Sequence, residues 1–324
     1  MNDRYSRQRV LPEVGPEGQE RLRNASVLVV GAGGLGCPVL EYLCAAGVGR
    51  ITIVDHDQVE ESNLHRQPLY RMTDAGHPKV HAAKAALQAL NPYVAIETVH
   101  ARLTPANVRE LVKPAEIVID AADSFAVTYI LSDECRRVSR PLVSASVLGL
   151  SGYVGSFCGG GPSYRAVFPE MPRQAGTCAT AGVLGTAVGV VGTLQAHYVI
   201  ALLLHWEPSP LGQLTTVDFR TLRTGGFSFR SASEPVGSLL YFIAPEQVSN
   251  QDTVIDLRGS DEAPTSALLA ALRIGVDEIE RSANRFSEES RIVLCCRTGV
   301  RAWRAARALQ RRGHRDLALV AFGD

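Results

Sequence analysis

Between residues 26 and 146 one pattern repeats: a short run of apolar, mostly β-branched residues, then a stretch with helical spacing. The expected strands are 26–30, 51–55, 95–99, 117–120 and 142–145; the expected helices are 35–46, 79–90, 105–111 and 125–138. Runs that are apolar throughout, rather than alternating, belong to strands buried on both faces. Joined by helices, such strands build an α/β fold with a doubly wound, mainly parallel, Rossmann-like sheet. After Gly149 the rhythm changes to short Gly/Ser-rich runs, a long apolar helix over 181–204 and a strand near 214–220. A loop over 206–213 and a linker near 231–237 follow from their Pro, Gly and Ser content. A second, smaller α/β rhythm then begins, with strands at 253–257 and 292–295 and helices near 264–272, 276–283 and 302–312. The chain therefore divides into a domain over 1–230, a linker over 231–240 and a smaller domain over 241–324.

The 324 residues carry no net charge and are 46% hydrophobic, which gives no reason to expect a nucleic acid or an anionic membrane as partner. Seven cysteines, an odd number without disulfide-like spacing, point to a reducing cytoplasm, and the charged N-terminus lacks a signal-peptide core. No Cys-x-x-Cys pair occurs, so no zinc site is expected. The stretch 181–204 is long enough to cross a bilayer. Gln195 and His197 interrupt it and no Lys/Arg cluster flanks it, so it reads as a helix buried in a large core or at a dimer interface.

Residues 31–36 read Gly-Ala-Gly-Gly-Leu-Gly between the first strand and its helix, and Asp55 ends the second strand. Gly31, Gly33, Gly34 and Gly36 would let phosphate oxygens approach backbone N–H groups at a helix N-terminus, and an acid about 20 residues on accepts ribose hydroxyls. A nucleotide follows from this; whether it is NAD or ATP does not. Three further clusters lie downstream. In Ser62-Asn63-Leu64-His65-Arg66-Gln67, the amides of Asn63 and Gln67 can contact nucleotide hydroxyls or phosphates, and Arg66 can neutralise phosphate charge. A solvated polar loop is the competing reading. In Gly76-His77-Pro78-Lys79, a proline suits a helix start while a lysine there runs against the helix dipole, a cost that an anionic ligand offsets. In Asp120-Ala121-Ala122-Asp123, at a strand's C-terminal end, Asp123 can hold magnesium and Asp120 reads as structural.

Together these elements resemble the MoeB/ThiF family, relatives of the ubiquitin-activating enzymes. Arg4-Tyr5-Ser6-Arg7-Gln8, Cys37, Asp55-His56-Asp57, Thr177-Cys178 and Gly192-Thr193-Leu194-Gln195-Ala196 extend the match, which runs from about residue 4 to 220. The resemblance implies an adenylyltransferase that uses ATP and Mg²⁺. Asp55 would hold the ribose; Asn63, Arg66 and Lys79 would contact the phosphates, with Arg66 placed like an arginine finger. Asp123 would bind Mg²⁺, and Arg7 would reach into the partner's site across a homodimer. The reaction implied is attack on the ATP α-phosphate by the C-terminal glycine carboxylate of a ubiquitin-like sulfur-carrier protein ending in Gly-Gly. In this family a cysteine at the position of Cys178 can link covalently to the activated carrier; a buried, inert cysteine is the equal alternative.

Residues 291–301, Arg-Ile-Val-Leu-Cys-Cys-Arg-Thr-Gly-Val-Arg, read as a strand, a tight loop and a helix start. A thiolate at such a position is expected to have a lowered pKa, with backbone N–H groups of the turn forming an anion-binding nest. Cys295 suits a buried strand position and Cys296 a nucleophile. The segment resembles a rhodanese domain over about 236–324. Cys296, Arg297, Thr298, Gly299, Val300 and Arg301 would form its persulfide loop and Asp256-Leu257-Arg258 an early strand signature. Sulfur would pass from a persulfide on Cys296, supplied by a donor such as a cysteine desulfurase, to the adenylated carrier, giving a thiocarboxylate.

The chain departs from both patterns. Ser163 and Ala166 stand where MoeB/ThiF proteins commonly carry their first zinc-binding cysteine pair, and Ser124 stands where Asn is usual. The His-Ile-Pro-Gly stretch of rhodaneses is replaced by Ala270-Ala271-Leu272-Arg273, and a closing helix is expected to be missing. Two alternatives follow: a catalytically weakened module that binds carrier proteins, or an NAD-dependent dehydrogenase supported by the glycine turn and Asp55 alone.

Overall fold

The structure is a computed structural model and describes all residues except 1–3, 173–181, 267, 269, 270, 283–285, 287–289 and 324. Five parallel strands begin the chain's main sheet: β1 (Ser26–Val30), β2 (Arg50–Asp55), β3 (Ala95–His100), β4 (Ile117–Asp120) and β5 (Pro141–Leu148). Three antiparallel strands extend it: β6 (Ser151–Cys158), β7 (Gln213–Asp218) and β8 (Arg223–Ser228). The spatial order is β3-β2-β1-β4-β5-β6-β7-β8. β1 lies at the centre of the parallel part, with Val27 opposite both Ile51 and Ile117.

Side chains on a strand alternate between faces, and here the alternation separates two cores. Val27, Val29, Ile51, Ile53, Ile117 and Ile119 enter one, with α3 (Gly36–Ala46), α4 (Lys79–Leu90) and the long α8 (Gly185–Leu203). Leu28, Val30, Val54 and Val118 enter the other, with α5 (Val108–Val112) and α6 (Phe125–Arg137). The N-terminal α1 (Ser6–Arg9) and α2 (Gly15–Asn24) precede the sheet, and a short α7 (Tyr164–Val167) follows β6. α8 is long and apolar enough to cross a membrane, yet 56% of that apolar stretch is buried inside the fold. It packs on α3 and across β5 and β6, and Gly192 lies so close that a Cβ there would sit 2.5 Å from Pro38 and 2.7 Å from the Leu35 carbonyl.

The C-terminal part forms a second, all-parallel sheet of β9 (Tyr241–Phe242), β10 (Thr253–Asp256), β11 (Leu272–Arg273), β12 (Ile292–Cys296) and β13 (Leu317–Ala321). Their spatial order is β11-β10-β12-β13-β9, with α9 (Val276–Ser282) and α10 (Val300–Gln310) packed against each other. The helix expected over 264–272 is not present among the described residues: Leu272 and Arg273 pair with Ile255 and Asp256 as an edge strand instead. Alternation along β12 sends Ile292, Leu294 and Cys296 into the same core as Leu28 and Val30, and Val293 and Cys295 to the opposite side. The two sheets thus share one hydrophobic interior.

Aromatic and charged side chains seal the contact. Trp303 of α10 is buried 4.9 Å from the Tyr129 ring, and its indole N–H donates to Glu170 at 3.2 Å. Buried Arg165 pairs with Asp133 at 2.6 Å, donates to the Leu240 carbonyl and lies over the Tyr129, Tyr241 and Trp303 rings. The expected linker is anchored through Glu234. Its carboxylate accepts from the Ser163 N–H and hydroxyl at 2.7 and 2.6 Å and from Arg136 at 2.5 Å. Ser163 also caps α7 by accepting from the Ala166 N–H. A polar cap thus fills the corner where Ser163 and Ala166 stand in place of a cysteine pair, and Tyr153, Phe157, Tyr164, Phe168 and Phe229 pack as a ring cluster beside it.

Candidate functional site

The glycine turn lies at the C-terminal edge of β1. Gly31 has φ +97°, a conformation glycine adopts at no steric cost, and a Cβ there would meet the Ala121 carbonyl at 2.6 Å and the Ala122 nitrogen at 2.8 Å. A Cβ on Gly36 would collide with the Gly31 carbonyl. Gly33, by contrast, faces open space, its nearest neighbour being the Gln67 amide nitrogen at 3.7 Å. The backbone here is bare by construction, as a phosphate cradle needs.

Asp55, at the end of β2, is buried beside the turn. One of its oxygens accepts from the Ala32 N–H and the other from the Asp57 N–H, both at 2.7 Å. A carboxylate has about four lone-pair sites, so these bonds fix its orientation and leave acceptor capacity for ribose hydroxyls. Lys79, at the start of α4, is 5% exposed and donates to Asp57 at 2.9 Å. Burial works to raise the Asp57 carboxyl, but the hydrogen bond and charge of Lys79, together with the charges of His56 and Arg102, outweigh it and hold the group below its ordinary value. The dipole mismatch read in the sequence is thus relieved within the chain, and one of the ammonium's three donors is used.

Arg66 packs over the turn: a Cβ on Gly34 would lie 3.7 Å from its Cδ. The residue is half-buried, and its guanidinium touches the Ser62 carbonyl and the His65 ring. Asn63 accepts from Gln67 at 3.4 Å. Gln67 is buried, and its Oε1 has no hydrogen-bond partner. An orphaned acceptor inside a polar crevice is costly, and a nucleotide's donors would relieve it.

On the far side of the turn, Asp120 is fully buried. It accepts from Thr128 at 2.7 Å, Ser144 at 2.8 Å and the Ala122 N–H at 3.2 Å. Burial raises its carboxyl to about 6, and those hydrogen bonds only partly oppose the shift. Asp120 is therefore a framework residue. Asp123, three positions on and exposed, stands just before α6. Gln195 of α8 ties the site from below, donating to the Asp120 carbonyl at 2.7 Å and the Val143 carbonyl at 3.1 Å.

These contacts bring Gly31, Gly33, Gly34, Gly36, Asp55, Asn63, Arg66, Gln67 and Lys79 to one crevice, with Asp123 at its rim. Arg7 lies exposed on α1. Cys178 lies outside the described residues. The residues present suit ATP and a magnesium ion: a bare backbone turn, a seated carboxylate, two cationic side chains and an exposed carboxylate at a strand end.

Cys296 closes β12 and is fully buried. The N–H groups of Gly299 and Ala302 point at its sulfur, at 3.1 and 3.4 Å. That is the expected nest, but the expected lowered pKa is not found. Burial raises the thiol, and the N–H groups and the Arg301 charge only moderate the effect. Arg301 is committed to the Leu257 carbonyl and Glu262, whereas Arg297 and Thr298 are exposed and Val300 is buried. Cys295, on the other face, is pushed up to about 12 by burial. Asp256 and Arg258 form a two-pronged pair at 2.9 and 2.8 Å.

Two features of the site have no counterpart in the sequence pattern. Arg102, after β3, approaches His56 at 2.6 Å, and the Phe322 and Gly323 N–H groups clamp the Cys296 and Arg297 carbonyls at 3.0 and 2.7 Å. A lone arginine and a Phe-Gly pair carry no spacing that would mark them.

A glycine turn, a strand-end acid and two cationic side chains beside them at the carboxyl edge of a doubly wound sheet fit a nucleotide-binding α/β protein. Residues 5–236 match the ThiF family, and the chain belongs to it. It is 49% identical over 224 residues to the sulfur carrier protein adenylyltransferase of Thermus thermophilus, covering 67% of this chain and 83% of that one. It is 45% identical over 228 residues to the adenylyltransferase and sulfurtransferase MOCS3 of Anopheles gambiae, covering 68% of this chain and 52% of that one, so the match spans about half of that relative. Among solved structures, E. coli MccB bound to MccA-N7isoASN superposes with a TM-score of 0.63 at 23% identity, over 74% of this chain and 75% of that one; this likeness concerns the fold. The family match ends before the second sheet.

Proposed function

We propose that the protein adenylates the C-terminal glycine of a ubiquitin-like sulfur-carrier protein and then transfers sulfur to it from Cys296. The observation that carries the first half is the crevice itself, where the bare turn, Asp55, Lys79 and Arg66 converge in a chain 49% identical to a sulfur carrier protein adenylyltransferase. Asp55 orients the ribose, and Asn63, Gln67, Lys79 and Arg66 place the phosphates. The carrier's carboxylate attacks the α-phosphorus, the bond to the β-phosphate oxygen breaks, and pyrophosphate leaves. Such a transfer needs alignment and charge neutralisation rather than a strong base. Asp123 would hold a magnesium ion, which supplies further neutralisation of phosphate charge. The working unit is a homodimer, with the exposed Arg7 reaching the second copy's crevice.

The second half rests on the nest around Cys296 and on the rhodanese resemblance of residues 236–324; the second sheet lies outside the family match. A donor persulfide passes its outer sulfur to the Cys296 thiolate and leaves as a thiolate. The outer sulfur on Cys296 attacks the acyl-adenylate carbonyl, AMP leaves, and an acyl disulfide remains. A second thiol, a role open to Cys178, cleaves that disulfide to release the thiocarboxylate and forms a disulfide with Cys296. ATP–pyrophosphate exchange measured with and without a carrier ending in Gly-Gly tests the reading. Exchange that requires the carrier is expected; none with any such carrier of the host overturns it.

A further inference from the structure

The C-terminal edges of the two parallel sheets face each other. On one side, the Gly299 turn after β12 packs on α6: a Cβ on Gly299 would lie 3.4 Å from the Cβ of Ala126, three residues past Asp123. On the other side stands Arg102, just past the end of β3. Its Nη2 lies 2.6 Å from His56 Nε2, next to Asp55, and since a guanidinium only donates, the imidazole nitrogen accepts. Nη1 and Cζ of the same guanidinium fill the space where a Cβ on Gly323 would stand. Gly323 in turn donates to the Arg297 carbonyl at 2.7 Å, and Phe322 donates to the Cys296 carbonyl at 3.0 Å. A continuous set of contacts therefore runs from the nucleotide-holding acid to the cysteine loop: Asp55, His56, Arg102, Gly323, Arg297, Cys296.

We propose that Arg102 is a positioning residue for the sulfur-transfer step, locking the Cys296 loop over the nucleotide crevice by seating between His56 and Gly323. The proposal rests on the function argued above and adds what holds its two halves in register. Gly323 has φ +79°, a conformation that favours glycine, and a side chain there would have to push the Arg102 guanidinium out of its seat. A buried Cys296 needs such a device. Its sulfur must be released to meet a persulfide donor and must return to the same place beside the acyl-adenylate.

The first test follows alkylation of Cys296 by iodoacetamide in the full chain, read by peptide mass spectrometry. In the parent protein Cys296 is expected to react slowly. In Arg102→Ala, and in Gly323→Ala, whose methyl would displace the guanidinium, it should react about tenfold faster through local opening, with the melting temperature unchanged. Arg102→Gln serves as the milder variant should the alanine destabilise the fold. The Arg102→Ala/Gly323→Ala double variant should react no faster than either single one, because each removes the same seat. In the second test, thiocarboxylate formation on a Gly-Gly carrier should fall about 100-fold in Arg102→Ala, while carrier-dependent pyrophosphate exchange stays at the parent level. Parent-like alkylation of Cys296 in the Arg102 and Gly323 variants overturns the lock. A parent protein that adenylates its carrier but forms no thiocarboxylate overturns the sulfur-transfer reading instead, and with it the role given to the lock.

Discussion

At the edge of the first sheet the groups proposed to act on the nucleotide stand open: Arg66 is half-buried and Asp123 is exposed, while Asp55 and Lys79 are buried. At the facing edge of the second sheet the order is reversed. Cys296 is sunk, and the exposed residues, Arg297 and Thr298, surround it. The chemistry proposed for each explains the difference. Adenylyl transfer to a protein tail needs a crevice that admits the tail and keeps its cations ready. A persulfide is consumed by water-borne thiols and oxidants, so its carrier gains from burial until the acceptor is in place. The raised Cys296 thiol fits this arrangement: the sulfur is held by N–H donors but kept from ionising freely.

The contrast can be broken by substitution. Cys296→Ser should abolish thiocarboxylate formation while carrier-dependent pyrophosphate exchange persists; loss or survival of both activities would mean that the two edges do not divide the work. Arg66→Ala should lower exchange by about 10³, the scale of an arginine that stabilises a transferring phosphoryl group, and Asp123→Ala by about 10². Parent-like exchange in both variants would remove the open edge from the chemistry. Trp303→Ala, which empties the contact between the sheets, should cost about 3–5 kcal/mol in denaturant unfolding. A much smaller cost would show that the sheets are held together elsewhere.

The smallest effect concerns Asp120. Its carboxyl is raised by burial to about 6, against about 4 in an unfolded chain. The folded state therefore binds this proton more tightly, so the group's contribution is fully present below about pH 4 and is lost as pH rises through about 6. Measured against Asp120→Asn, the parent should lose roughly 2–3 kcal/mol of relative stability between pH 4 and 7. A pH-independent difference would show that the hydrogen bonds from Thr128, Ser144 and Ala122 neutralise the burial cost.

The parallel half of the fold was legible because β1, β2 and β4 are runs of mostly buried apolar residues, β3 carries a shorter, partly polar β-branched run, and each is followed by a helical period or a turn signal. β8, reading Arg-Thr-Gly-Gly-Phe-Ser and exposed along its length, carries no hydrophobic pattern and is placed by pairing with β7. The Ala- and Leu-rich stretch before residue 273 reads as helix by propensity, yet its end is captured as an edge strand by β10, a tertiary preference outweighing a local one. In the site, glycines and charged clusters announced themselves through spacing. The pairing of Lys79 with Asp57 and the raised Cys296 thiol depend on burial, which no local pattern encodes.

The shared interior of the two sheets has a consequence for modularity. Leu28 and Val30 on one side and Leu294 and Cys296 on the other belong to a single apolar core, with Tyr129 and Trp303 between them. Cutting the chain after the family's boundary would strip solvent protection from the helix that follows Asp123. The C-terminal third is therefore not an interchangeable cassette. A chimera that swaps it would inherit a mismatched partner surface, so the two halves are expected to have diversified together, each substitution at their junction being screened against the other.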